Sequence, residues 1–219
     1  MTSSPSGGRR RRPVLVPVAS ALAVVGIGVT AAFGGLRDAP DKPPPTASPG
    51  DTIDQGRFRT QFIKAIDTTE AGGFGGVKRY LELVVKVTNM GDETASVGMV
   101  PQPGKGFSQT GTFAGSLLRT RPEMKSEYGP RASVLSYGIE SQQLHPGITT
   151  TVVVKYELQP TATAPGEISL DLGTFENESR GLLNQGRDWL LKGEYKDDDG
   201  PFEPEVASRI TLPVRKEAS

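Results

Sequence analysis

Residues 13–36, PVLVPVASALAVVGIGVTAAFGGL, constrain this chain most: they run 24 positions without a charged side chain. As a helix rising about 1.5 Å per residue, the run reaches roughly 36 Å, enough for the ~30 Å hydrocarbon core of a bilayer. Pro13 and Pro17 fall in the first turns, where a missing amide donor costs little. Arg9, Arg10, Arg11 and Arg12 stand directly before the run, and Arg37–Asp38 nearly cancel behind it. The positive-inside rule then keeps residues 1–12, a small polar and basic tail, in the cytoplasm. Everything after the span lies outside. A cleaved secretory signal has the same basic-then-apolar order, and small residues around Val29–Ala32 suit a peptidase. Its apolar region is usually only about 7–15 residues long, so the expectation is a retained transmembrane helix (13–36). The alternative is a secreted β-sandwich protein with a structural or weak metal-dependent role. No later stretch approaches 18 apolar residues.

The net charge of zero conceals an asymmetry. Setting the four leading arginines apart from the 25 basic residues leaves 21 against 25 acids. A mildly acidic body argues against nucleic acid as partner, because phosphate binding needs clustered Lys and Arg. The chain has no Cys, which excludes disulfides, thiolate metal sites, a thiol nucleophile and a lipidated cysteine. A single His excludes a multi-His metal cage.

Residues 37–50, RDAPDKPPPTASPG, carry five Pro in 14 positions and predict an extended stalk. From 51 to 216 the pattern changes to short alternating runs between turn residues. In 80–88, Leu81, Leu83, Val85 and Val87 alternate with Glu82, Lys86 and Thr88. In 150–158, Val152, Val154, Tyr156 and Leu158 alternate with Thr151, Val153, Lys155 and Glu157. Ile168, Leu170 and Leu172 repeat the period, as do Val206, Ile210, Leu212 and Val214. Phe58, Phe62 and Ile66 predict a first strand. Phe113 with Leu117, and Leu135 with Tyr137 and Ile139, predict two in the middle. Period-2 alternation marks antiparallel strands with one wet face. About seven such strands with Gly- and Pro-rich turns predict an all-β antiparallel sandwich of about 165 residues as one domain. Residues 173–205 break the rhythm. Their apolar residues, Leu182, Leu183, Trp189 and Leu190 among them, either cap an open end of the sandwich or form an interaction loop.

Four segments are also familiar: TIDQGRFRTQFIKAID, RYLELVVKVTNMGDETASV, LHPGITTTVVVKYEL and GEISLDL. Together they resemble the telokin-like immunoglobulin domains of bacterial cell-envelope proteins of unknown function. Asn89 and Gly91 match that family's turn, and Leu144, Pro146 and Gly147 match its Pro-Gly element. The order of arginine block, span, stalk and domain is similar to anchored envelope proteins of high-GC Gram-positive bacteria. The resemblance implies an immunoglobulin-like fold and brings no catalytic residues or cofactor.

The chemistry-bearing candidates read mostly as scaffold. His145 stands in Leu-His-Pro-Gly, a turn signal, so Ser141 and Thr149 nearby do not make it a catalytic base. Asp197, Asp198 and Asp199 are consecutive and lack the alternating ligands of a calcium loop, with Val206 where its Glu belongs; a solvated turn is expected, and at most a weak Ca²⁺ site. Glu176 with Glu178, and Glu203 with Glu205, are spaced as carboxylate pairs but lack an aromatic-lined sugar cleft. Gly72–Gly76 has glycines without the Lys-Ser/Thr of a phosphate loop. The expected function is therefore non-catalytic, without metal or cofactor. It is a membrane-anchored interaction module contacting the bilayer through 13–36 and an envelope protein or cell-wall ligand outside the cytoplasm.

Overall fold

Alternating β-branched and aromatic side chains favour extended backbone, because one face of each strand can then be buried. The computed structural model describes residues 43–71, 76–124, 126, 129–136, 139–159, 161–179, 186–197 and 200–217. The arginine block and the expected span at 13–36 lie outside these residues. Among the described residues, no helix is long and apolar enough to cross a membrane. The strands in order are β1 (Thr46–Ala47), β2 (Thr52–Asp54), β3 (Phe58–Ala71), β4 (Val77–Asn89), β5 (Ala95–Ser96), β6 (Leu117–Arg121), β7 (Arg131–Ser136) and β8 (Ile139–Ser141). They continue as β9 (Gln143–Leu144), β10 (Thr149–Leu158), β11 (Glu167–Gly173), β12 (Phe175–Ser179), β13 (Arg187–Leu191), β14 (Gly193–Tyr195), β15 (Phe202–Pro204) and β16 (Val206–Lys216). One 3-10 turn, Ala114–Ser116, is the sole helical element among the described residues. The fold is all-β and sandwich-like.

The hydrogen-bonded path runs β6-β11-β16-β3-β4-β10-β7-β8, with β1 beside β16 and β2 beside β3. β16 makes the corner. Val206–Pro213 run antiparallel to β11, whereas Val214–Lys216 run parallel to β3. Pro213 has no amide to donate, and it stands where the strand changes partner. Register carries the core across the sheet: Phe62 faces Val85, Val85 faces Val152, and Val152 faces Val134. Ile168, Leu170, Leu172, Ile210 and Leu212 complete the same buried cluster from the other layer.

Four expectations need correction. The segment 37–50 is not all stalk, because Thr46 and Ala47 pair with Arg209 and Ile210 of β16. The Arg209 amide and Ser208 hydroxyl also donate to the Pro45 carbonyl. A bulge between Phe62 and Lys64 shifts the parity of β3, so Ala65 and Asp67 turn inward and Ile66 does not. In β7, Ala132 and Val134 are buried while Leu135 stands exposed, as does Ile139 at the start of β8. Ala132 and Val134 oppose the core residues Val154 and Val152, and cross-strand partners share a face. Phe113 is buried but precedes the 3-10 turn rather than lying in a strand. Tyr137 lies outside the described residues.

Candidate binding site

The irregular segment expected over 173–205 contains two hairpins, β12 with β13 and β14 with β15. Phe175 and Leu191 face each other and are both buried, and Phe175 meets Phe58 edge-on at 5.2 Å. Trp189 packs against the core while staying partly exposed, and Leu190 is half-buried. The indole lies over two glycines: a Cβ built on Gly56 would come within 3.6 Å of its ring, and one on Gly91 within 3.4 Å of its Nε1. Gly56 has φ +84°, a conformation that side chains rarely adopt. Arg57 donates from Nη1 to the Gly111 carbonyl at 2.6 Å. Burial lowers the pKa of its guanidinium, and Glu93, Asp188 and Asp92 oppose that shift. Leu182 and Leu183 lie outside the described residues, as do Asp198 and Asp199.

The remaining sequence candidates sit apart from one another. His145 is exposed, with its Nδ1 3.1 Å from the Thr94 hydroxyl. Its neighbour Pro146 bridges to Asn89. The Asn89 side chain is fully buried and donates to the carbonyls of Glu93 and Leu144, at 2.7 and 2.9 Å. It also accepts from the Gly91 amide, and its own carbonyl accepts from the Gly147 amide. The Asn-x-Gly turn and the Leu-His-Pro-Gly element are thus stitched together by one asparagine. Glu176 lies beside Glu178 on β12; burial and the neighbouring carboxylate raise its pKa. Asp197 accepts from the Gly200 amide in a turn, and Lys196 pairs with Glu203. Among the described residues no cluster of three or more metal-ligating side chains forms.

A different place has the shape of a binding site. Residues 97–113 leave β5 and reach the 3-10 turn without forming a strand. Such a long connection in a domain of short turns is unusual. It runs along the edge of the sandwich beside β6, and the two border an open cavity of about 480 Å³. Val100, Phe107, Leu117, Leu118, Met124 and Tyr156 are among the residues that line it. Arg119 stacks its guanidinium on the Phe107 ring at 5.3 Å. The loop's other side borders a larger open cavity of about 980 Å³, where Tyr80, Arg131 and Lys155 contribute. Both volumes fall in the range of small-molecule sites, roughly 300–1,000 Å³. The alternation over 150–158 places Tyr156 on the buried face of β10, where it lies in the core. The cavity beside it has walls from segments that no local pattern joins; the Gly- and Pro-rich length of 97–113 is its one mark in the sequence.

Compared with family models, curated proteins and solved structures, the chain gives no match.

Proposed function

We propose that this chain is a single-pass, membrane-anchored binding module of the bacterial cell envelope. The arginine block stays in the cytoplasm, 13–36 cross the bilayer, and an immunoglobulin-like sandwich stands outside. Its role is non-catalytic: to hold a ligand or partner at loops carried on a rigid β scaffold. The observation behind the binding role is the open, roughly 480 Å³ cavity that the 97–113 loop borders at the sandwich edge. Two features support the immunoglobulin-like assignment. The corner strand β16 belongs to both layers. Asn89 joins the two motifs that carry the resemblance.

The test is cellular. The full chain with a C-terminal tag is expressed in a bacterium and fractionated. The expected result is an intact chain in the membrane fraction that resists alkaline carbonate, with the tag cut by protease added outside intact spheroplasts. Intact protein in the cytosol overturns the reading. A shortened chain in the medium replaces the anchor with a cleaved signal.

A further inference from the structure

In a strand, side chains two positions apart share a face and stand about 7 Å from each other. Arg119 and Arg121 are such a pair on the outward face of β6. Asp171 of β11 lies opposite Arg119, and Arg209 of β16 lies opposite Asp171, so three arginines surround one carboxylate. That carboxylate is already committed: Nε and Nη2 of Arg209 and Nη2 of Arg121 all lie within 3.2 Å of its oxygens. Arg119 has no ion-pair partner among the described residues, and its guanidinium rests on the Phe107 ring at 5.3 Å. Arg121 gives one corner of its planar fork to Asp171; a guanidinium carries five N–H donors, so its other edges stay open. Both arginines line the roughly 480 Å³ cavity beside β6, and Gln102 and Glu123 add polar atoms to the lining. The charges leave an excess. Arg119, Arg121 and Arg209 stand against Asp171 and Glu123, one positive charge over. Glu203 shares a smaller cavity of about 170 Å³ with Arg119, but it pairs with Lys196 at 3.0 Å and those two cancel.

From the unpaired Arg119 beside a second open guanidinium, both lining one cavity, we infer that this cavity binds a small organic molecule through a single carboxylate held between Arg119 and Arg121. The edge of a guanidinium matches the two oxygens of a carboxylate, and one negative charge cancels the excess. Phe107 holds Arg119 and Asp171 holds Arg121, so little ordering of either side chain is needed when the ligand arrives. This deepens the binding role proposed above and rests on it, but not on the membrane anchor.

Methionine methyl groups report on the site without interference from lipid. The chain has four Met; Met124 lines the cavity, whereas Met90 lies at the turn after β4. The full chain, labelled with ¹³C-methyl methionine and held in nanodiscs of zwitterionic lipid, is titrated with lactate. A second titration uses lactamide, its uncharged counterpart of nearly the same shape. The Met124 methyl resonance should shift saturably with lactate and stay in place with lactamide, while Met90 moves with neither. Arg119→Gln removes a charge that has no ion-pair partner, so the fold should hold. It should raise the lactate midpoint about 2- to 10-fold, between the value of an exposed ion pair and that of a hydrogen bond to a charged group. Arg131→Gln makes the same charge change beside the larger cavity and should leave that midpoint where it was. A Met124 resonance unmoved by lactate overturns the inference, as do equal midpoints for Arg119→Gln and the parent. An equal shift with lactamide overturns the carboxylate but leaves the cavity a binding site, so the two readings fail separately. None of these outcomes depends on the fractionation result.

Discussion

Asp171 is the most informative charge to remove. It lies on β11 with its side chain 4% exposed. Arg209 binds it through Nε at 2.6 Å and Nη2 at 3.2 Å, and Arg121 adds Nη2 at 2.8 Å. The substitution Asp171→Asn keeps the shape and deletes the charge. Hydrogen bonds to charged groups contribute roughly 1.5–3 kcal/mol each, before the freed partners regain water. Arg121 and Arg209 are 48% and 34% exposed, so both rehydrate readily and the net loss is far below the sum. About 2 kcal/mol is expected at pH 7. With a urea slope of about 2 kcal/mol per molar, the midpoint falls by about 1 M. Trp189 is the only tryptophan, so its emission follows unfolding of the full chain. The pH dependence has a definite sign. Burial alone raises the Asp171 pKa, but the bonds and charges of Arg209 and Arg121 outweigh it and hold the carboxyl below its ordinary value. A depressed folded-state pKa stabilises fully above the unfolded value of about 3.9. That stabilisation is lost as pH falls through the lower folded value. The gap between parent and Asp171→Asn should therefore be open at pH 7 and closing below about pH 4. A gap absent at pH 7, or constant down to pH 2, refutes the reasoning.

Two further substitutions probe the scaffold. Asn89→Ala leaves the carbonyls of Glu93 and Leu144 and the Gly91 amide without their side-chain partner. It should cost about 2–4 kcal/mol, read as a lower urea midpoint, and Asn89→Asp, which loses both donors and sets a buried carboxylate against the same two carbonyls, should cost at least as much at pH 7. Gly111→Ala drives a methyl group into the Trp189 carbonyl oxygen and to within 2.5 Å of Arg57 Nη1. A backbone oxygen yields little, so a loss of about 1–3 kcal/mol with a shift in Trp189 emission is expected; a neutral change would show that the β12–β13 hairpin does not press on that loop.

Local pattern carried this chain a long way, and particular residues show where it stopped. The uncharged run after Arg12 and the alternation of Leu81 to Val87, Val152 to Leu158, Ile168 to Leu172 and Ile210 to Leu212 are properties of consecutive residues. A period of two names the buried face wherever a strand keeps its alternation, and the named residues are all buried. Ile66 escaped because one inserted residue at the β3 bulge reverses every side chain after it. Leu135 escaped because the inward face of β7 is set by its register against β10, a partner many residues away. The same reason hid the pocket. Tyr156, Met124 and the 97–113 loop meet only after the edge of the sandwich has formed, and the Tyr156 hydroxyl is left without a partner only once water has been excluded from around it.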